Sequence, residues 1–449
     1  MTMLSMDALR EALAKTPTLP MGGRVTGVGG LLVEGTLPDA RMGMSCAIRI
    51  GETGRLVPAE IVALRGDTIS LMPLESVGGV TVGSIIEARG RQASVPVGPD
   101  LLGRVVDGWG QPIDGGPPIE ITRQMPLYPA PLNPLDRGLV DAPLPVGIRA
   151  VDGLLTSGRG QRVVVMAGAG VGKSTLLAMM ARATEADVTV LALVGERSRE
   201  VKRFVESELG PEDRKRAVVV SATSNMAAAL RIRAARVATS IAEYYRDQGK
   251  NVLLLMDSLT RVCMAQRELG LAIGEPPTTR GYPPSSFAII PELCERAGMG
   301  TGAGSITGFY TALLEGDDMA DPIGDAIRAV TDGHLVLNRR LAEQGQYPAI
   351  DVLQSTSRVM DDVTDERHLA SAADVRRVLA DLREVEELVA FGAYREGDVP
   401  HFDRARAFGP ALKTFLRQST GEGAPYAETV SALNTLVTRL RAEETAGAS

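Results

Sequence analysis

The residues with the clearest chemical content run from Ala167 to Thr175, reading AGAGVGKST between a β-rich stretch, RVVVM, and a helix-like one, LLAMMARA. Glycines at 168, 170 and 172 free the backbone N–H groups around Ala169 and Val171 to close on phosphate oxygens, and the following helix presents its positive end. Lys173 can reach the β- and γ-phosphates, and the Ser174 hydroxyl, with Thr175 beside it, can ligate Mg²⁺. The first position is Ala167 where the pattern has glycine. A plain glycine turn before a helix is the competing reading, and GKS in this context argues against it.

Two acidic positions complete a hydrolytic set. Asn251–Asp257 is an apolar run ending in a carboxylate, the form that places Asp257 in the shell of the metal. Many buried strands end in Asp at a turn, so the motif draws its weight from the loop upstream. Glu196 follows the apolar run VTVLALV and is the candidate general base, because the C-terminal ends of neighbouring parallel strands gather at one edge of a sheet. The rival reading makes Glu196 an acidic residue favoured by the dipole of the next helix.

Elements able to position these groups are legible around them. From 146 to 358 apolar β-runs alternate with helical stretches, which predicts a parallel sheet flanked by helices. Short glycine-broken β-runs from 23 to 95 predict a small β-barrel, and the Pro- and Gly-rich 96–141 reads as a connector wrapping the core. Beyond Asp361 the pattern turns to amphipathic helices. Met6, Leu9 and Leu13 form an apolar stripe on a short N-terminal helix that must rest on the body or on a partner. The expected division is 1–20 helix, 21–95 barrel, 96–363 nucleotide-binding core and 364–449 helical domain.

Composition narrows the function classes. Lys plus Arg number 48 against 55 Asp plus Glu, a net charge of −7, and the chain has one Trp, so neither a basic field nor a base-stacking platform points to nucleic acid. Cys46, Cys263 and Cys294 fit neither a disulfide framework nor a zinc site, which suits a reducing cytoplasm. No apolar run is long enough to span a membrane, so membrane contact is expected to be peripheral. His334, His368 and His401 have no metal or triad spacing.

Taken together, GAGVGKS, VGERSREV, LLLMDSLTR, AQRELGLAIGEPPTTRGYPPSSF, SITGFYTALLEGDDMADPI and YPAIDVLQSTSRVM resemble the flagellar and type III secretion export ATPases, relatives of the rotary ATP synthase catalytic subunits. The flagellar branch fits best, on the AG-x-GVGKS loop and the later GYPPS, with the virulence secretion ATPases as the alternative. The resemblance implies an N-terminal β-barrel, a central α/β RecA-like P-loop NTPase core and a C-terminal α-helical domain. It implies Mg²⁺-dependent ATP hydrolysis that assists protein export.

By the same resemblance, Arg358 in STSRVM matches an arginine finger that enters the neighbouring subunit's site. Arg197 and Arg261 match phosphate-side arginines, Glu200 an acid one helical turn after the base, and Tyr394 the aromatic on adenine. The implied partners are copies of itself, a regulatory stator-like protein at the N-terminal helix, a central stalk, and the export gate with its chaperones and substrates. The implied place is the cytoplasm, peripheral at the inner-membrane export apparatus.

In the rotary synthases base and finger sit on different chains, whereas Glu196 and Arg358 share one, which predicts a homohexamer of identical shared sites. A non-catalytic ring subunit would carry Gln at position 196. A Rho-like RNA translocase is disfavoured by the acidic charge and few aromatics.

Overall fold

The computed structural model describes residues 22–446 apart from 52, 91, 92, 315 and 317; the predicted N-terminal helix with Met6, Leu9 and Leu13 lies outside them. Six strands, Gly22–Gly29, Leu32–Thr36, Ser45–Arg49, Leu56–Arg65, Thr68–Pro73 and Ile85–Ala88, close into a barrel in the order first, second, fifth, fourth, third, sixth. Its interior is filled by Val25, Val33, Ile48, Val57, Leu71 and Ile86, the inward set that strand alternation prescribes. The barrel joins the core through polar contacts: Glu60 meets the Tyr128 hydroxyl and accepts from the Arg233 guanidinium at 3.5 Å, and Arg65 donates to the Ile273 carbonyl at 2.7 Å.

In the central sheet the strands lie in the order Thr356–Ser357, Gly333–Leu337, Arg162–Ala167, Ser305–Leu313, Asn251–Asp257, Val188–Val194, Ala217–Ala222 and Val105–Val106. The six longer strands and Val105–Val106 run parallel, as strands buried by helices on both faces do. This is the parallel sheet the sequence predicts, with two short pieces, Gly298–Met299 and Thr356–Ser357, added antiparallel to it. The connector does more than wrap the core, since its Val105–Val106 bonds to Val219–Val220 as the outermost strand.

One face packs on the helices Ala228–Arg246, Leu259–Ala272 and Pro284–Cys294. The other packs on Lys173–Ala183, and the same apolar cluster continues through the helix Arg149–Leu154 to a C-terminal unit of three helices, Glu366–Ala390, Pro400–Leu416 and Tyr426–Ala446. That unit is pinned by buried Gln418, whose side chain accepts the Arg149 N–H at 3.0 Å and donates to the Gly147 carbonyl at 2.7 Å. Buried His368 is likewise structural, with Nε2 2.8 Å from the Gly153 carbonyl oxygen. All three cysteines are buried free thiols, and no described helix is long and apolar enough to cross a membrane.

Candidate active site

Arg162–Ala167 forms because its β-branched run is buried on both faces, and it delivers the glycine loop to the C-terminal edge of the sheet. Gly172 takes φ +96°, a left-handed turn that lets the helix Lys173–Ala183 begin at once. Gly168 is buried under the loop, Ala169 and Gly170 are open to solvent, Val171 is buried, and Ser174 is exposed at the first helical turn beside half-buried Thr175. The Ala169 carbonyl is held by Arg339, 3.0 Å from its guanidinium.

Lys173 ties the three strand ends together. Its ammonium contacts the Asp257 carboxylate and lies 3.7 Å from Glu196. Asp257, with a side chain only 3% exposed, also accepts the Thr311 hydroxyl at 2.9 Å. Next in sequence, Ser258 caps the helix Leu259–Ala272 by accepting the Arg261 N–H at 3.2 Å. That places Arg261 beneath Gly195, where a Cβ would stand 2.8 Å from the Arg261 Cβ, and Gly195 itself has φ +74°. Glycine is therefore required at the turn that aims Glu196 at Lys173.

Burial and the nearby Asp257 charge push the Glu196 carboxyl up to about 7, opposed by Lys173 and Arg261. Glu196 and Glu200 share a hydrogen bond, which raises the first and lowers the second. Arg197 points outward, 77% exposed, with Glu200 3.6 Å away.

Arg358 and Tyr394 are not brought to this cluster. The Arg358 N–H bonds to the Asp332 carbonyl at 2.9 Å, and the Asp332 N–H to the Arg162 carbonyl at 2.8 Å. The register thus sets Arg358 level with Arg162, at the N-terminal end of the strand that carries the phosphate loop at its other end. Five residues of strand, ~16 Å, separate that level from Ala167. The exposed Arg358 side chain has no ion pair or hydrogen bond among the described residues.

Tyr394 packs within the C-terminal helices, its hydroxyl on Asp403, its ring 6.5 Å from Phe402 and under the Arg406 guanidinium at 5.2 Å. The aromatic that does stand at the loop is Tyr347, 46% exposed, its ring 3.8 Å from where a Cβ on Gly172 would lie. Its carbonyl accepts the Gln418 N–H at 2.8 Å, tying the loop to the C-terminal helices. No periodicity marks Tyr347, and only its place in YPAIDVLQSTSRVM, a few residues before Arg358, could have drawn attention to it.

The chain matches known proteins along most of its length. Residues 147–357 match the ATP synthase alpha/beta family, nucleotide-binding domain; 25–90 match the beta-barrel domain of that family; and 364–435 match the T3SS EscN ATPase C-terminal domain. The chain is 46% identical to the flagellum-specific ATP synthase of Bacillus subtilis (strain 168), covering 96% of this chain and 98% of that one. It is also 46% identical to the type 3 secretion system ATPase of Sinorhizobium fredii (strain NBRC 101917 / NGR234), with 96% of each covered. Among solved structures, the assembled ATPase EscN of enteropathogenic E. coli in complex with its central stalk EscO superposes with a TM-score of 0.85 at 42% identity, over 92% of this chain and all of that one. The chain is an ATPase and belongs to the ATP synthase alpha/beta family, in the branch of the flagellum-specific ATP synthases and type 3 secretion system ATPases.

Proposed function

We propose that this chain hydrolyses ATP as a homohexameric ring whose sites lie between copies, and that the work serves flagellar protein export. The observation carrying this reading is the placement of Lys173, Glu196 and Asp257 at one end of the sheet and of Arg358 at the other. The loop N–H groups from Gly168 to Thr175 and the Lys173 ammonium bind the phosphates. Tyr347 packs on the adenine in place of the expected Tyr394.

Mg²⁺ fits the donor set: the Ser174 hydroxyl and the Asp257 carboxylate are hard oxygens beside a phosphate site, which is how this ion is ordinarily held. Bound there, it neutralises charge on the phosphate oxygens. Glu196 orients and deprotonates the attacking water, and a carboxyl poised near neutrality suits that exchange. Glu200 shares the proton, and Arg261 and Arg197 support the phosphate side. Arg358 of the neighbouring copy stabilises the developing charge.

The flagellar reading rests on AG-x-GVGKS and GYPPS, and the virulence secretion branch is the alternative. A central stalk is expected because EscN is assembled with one. The regulatory partner of residues 1–20, the export gate, the chaperones and the substrates follow from the family, as does a cytoplasmic location peripheral to the membrane. ATPase rate per chain against protein concentration, with mass measured in parallel, tests the shared site. A rate that rises steeply with assembly supports it, and full activity in the monomer removes it.

A further inference from the structure

The edge of the molecule that bears Arg358 also bears two leucines that no described residue covers. Leu135 is 92% and Leu139 83% exposed, an extreme degree for large apolar side chains. They are not on a loose loop. Between them Arg137 donates to the Glu295 and Ala297 carbonyls at 2.6 and 3.0 Å, the Gly138 N–H reaches the Gly300 carbonyl, and Asn133 caps the turn Pro134–Asp136.

The same scaffold sets the finger. Arg162 pairs with both Glu295 and Asp332, at 2.6 and 3.0 Å, and the Asp332 carbonyl holds the Arg358 N–H. From the other side, Gln161 donates to Ser357 and accepts the Gly158 N–H, and a Cβ on Gly158 would touch both Val140 and Val359. Val140 follows Leu139, and Val359 follows Arg358. The segments bearing the leucines and the finger are thus held on one scaffold, and the finger lies ~16 Å along the strand from the chain's own phosphate loop.

We infer that Leu135 and Leu139 form a docking surface for a second copy of this chain, seated when that copy accepts Arg358 into its nucleotide site. The occupant follows from continuity: a finger that serves a neighbour carries with it whatever is built beside it, and here that is an apolar pair excluding water from the approach of a charged side chain. The contact is head-to-tail, since the face bearing the leucines is distinct from the face bearing the glycine loop. The inference rests on the shared-site reading above.

The test compares the full chain with Leu135→Ser/Leu139→Ser, reading ATPase rate per chain and mass across protein concentration. The expected result is a midpoint of assembly and activity at least tenfold higher, with the plateau rate, the KM for ATP and the melting temperature unchanged. A midpoint within twofold of the parent overturns the docking surface. Should the parent itself show a concentration-independent rate, the shared site falls instead. As a second measurement, a maleimide reacts with Leu139→Cys against a background of three buried native thiols. Labelling should be fast in dilute protein and slowed at least tenfold at assembling concentrations. Equal rates at both, or protection already present in the dilute monomer, overturn the proposal, the latter by showing that another segment covers the site.

Discussion

Glu196 and Arg358 stand at opposite ends of the same sheet: Glu196 follows the C-terminal end of Val188–Val194, and Arg358 is level with Arg162 at the start of the parallel strand Arg162–Ala167. With the roles proposed above, a base and a finger so placed do not meet on one nucleotide within one copy. Arg358→Ala should therefore lower kcat by about a thousandfold while ATP binding changes less than about threefold. Loss of binding in equilibrium titrations would assign Arg358 a structural role.

Mixing supplies a sharper form of the same expectation. Glu196→Gln and Arg358→Ala should each be inactive alone, and co-assembled in equal amounts they should regain about one quarter of the parent rate, since an interface works when one copy keeps the base and the next keeps the finger. No recovery, with mixed rings verified by mass, counts against shared sites.

The raised Glu196 carboxyl makes two statements about pH. Because folding favours its protonated form, deprotonation costs the fold stability, and that cost appears as pH rises from its unfolded value near 4.5 through about 7. Without nucleotide, Glu196→Gln should melt higher than the parent at pH 8 and alike at pH 4. Asp257→Asn removes a neighbouring negative charge and should bring the Glu196 titration down, read by carboxyl-selective NMR. An unchanged difference in melting between pH 4 and 8 would refute the coupling.

Tyr347 and Tyr394 make a discriminating pair. Tyr347→Ala should raise the KM for ATP roughly tenfold, the equivalent of ~1.4 kcal/mol of ring contact, with kcat little changed. Tyr394→Ala should leave KM within about twofold and act on the melting temperature. The reverse pattern would restore the adenine to Tyr394.

Gly195→Ala forces a Cβ into Arg261 and a strained left-handed backbone, so it should lose ~1–3 kcal/mol of stability and lower kcat by misaiming Glu196. Wild-type turnover in a soluble Gly195→Ala protein would show that the turn can relax.

What the sequence made readable was local. The glycine spacing at 168, 170 and 172 and the apolar runs before Lys173, Glu196 and Asp257 state their own geometry, because loop, strand and helix are contiguous there. The alternating barrel strands did so as well. Tyr347 meets Gly172 across 175 positions of chain, and no local pattern encodes that contact. Val105–Val106 was hidden because two valines in a proline-rich stretch carry no period. Arg358 could be matched to a motif, but its distance from its own loop exists only in strand register.

Because the strand through Arg162 and Ala167 has Arg358, the proposed finger, level with its foot and the phosphate loop at its head, the shared-site reading makes each copy a directed link. A linear run of copies always leaves one loop without a finger and one finger without a loop, and only closure retires both loose ends. On the shared-site reading, dilution is then an off switch needing no inhibitor, and ~16 Å of strand links a copy's own phosphate loop to the arginine it lends its neighbour.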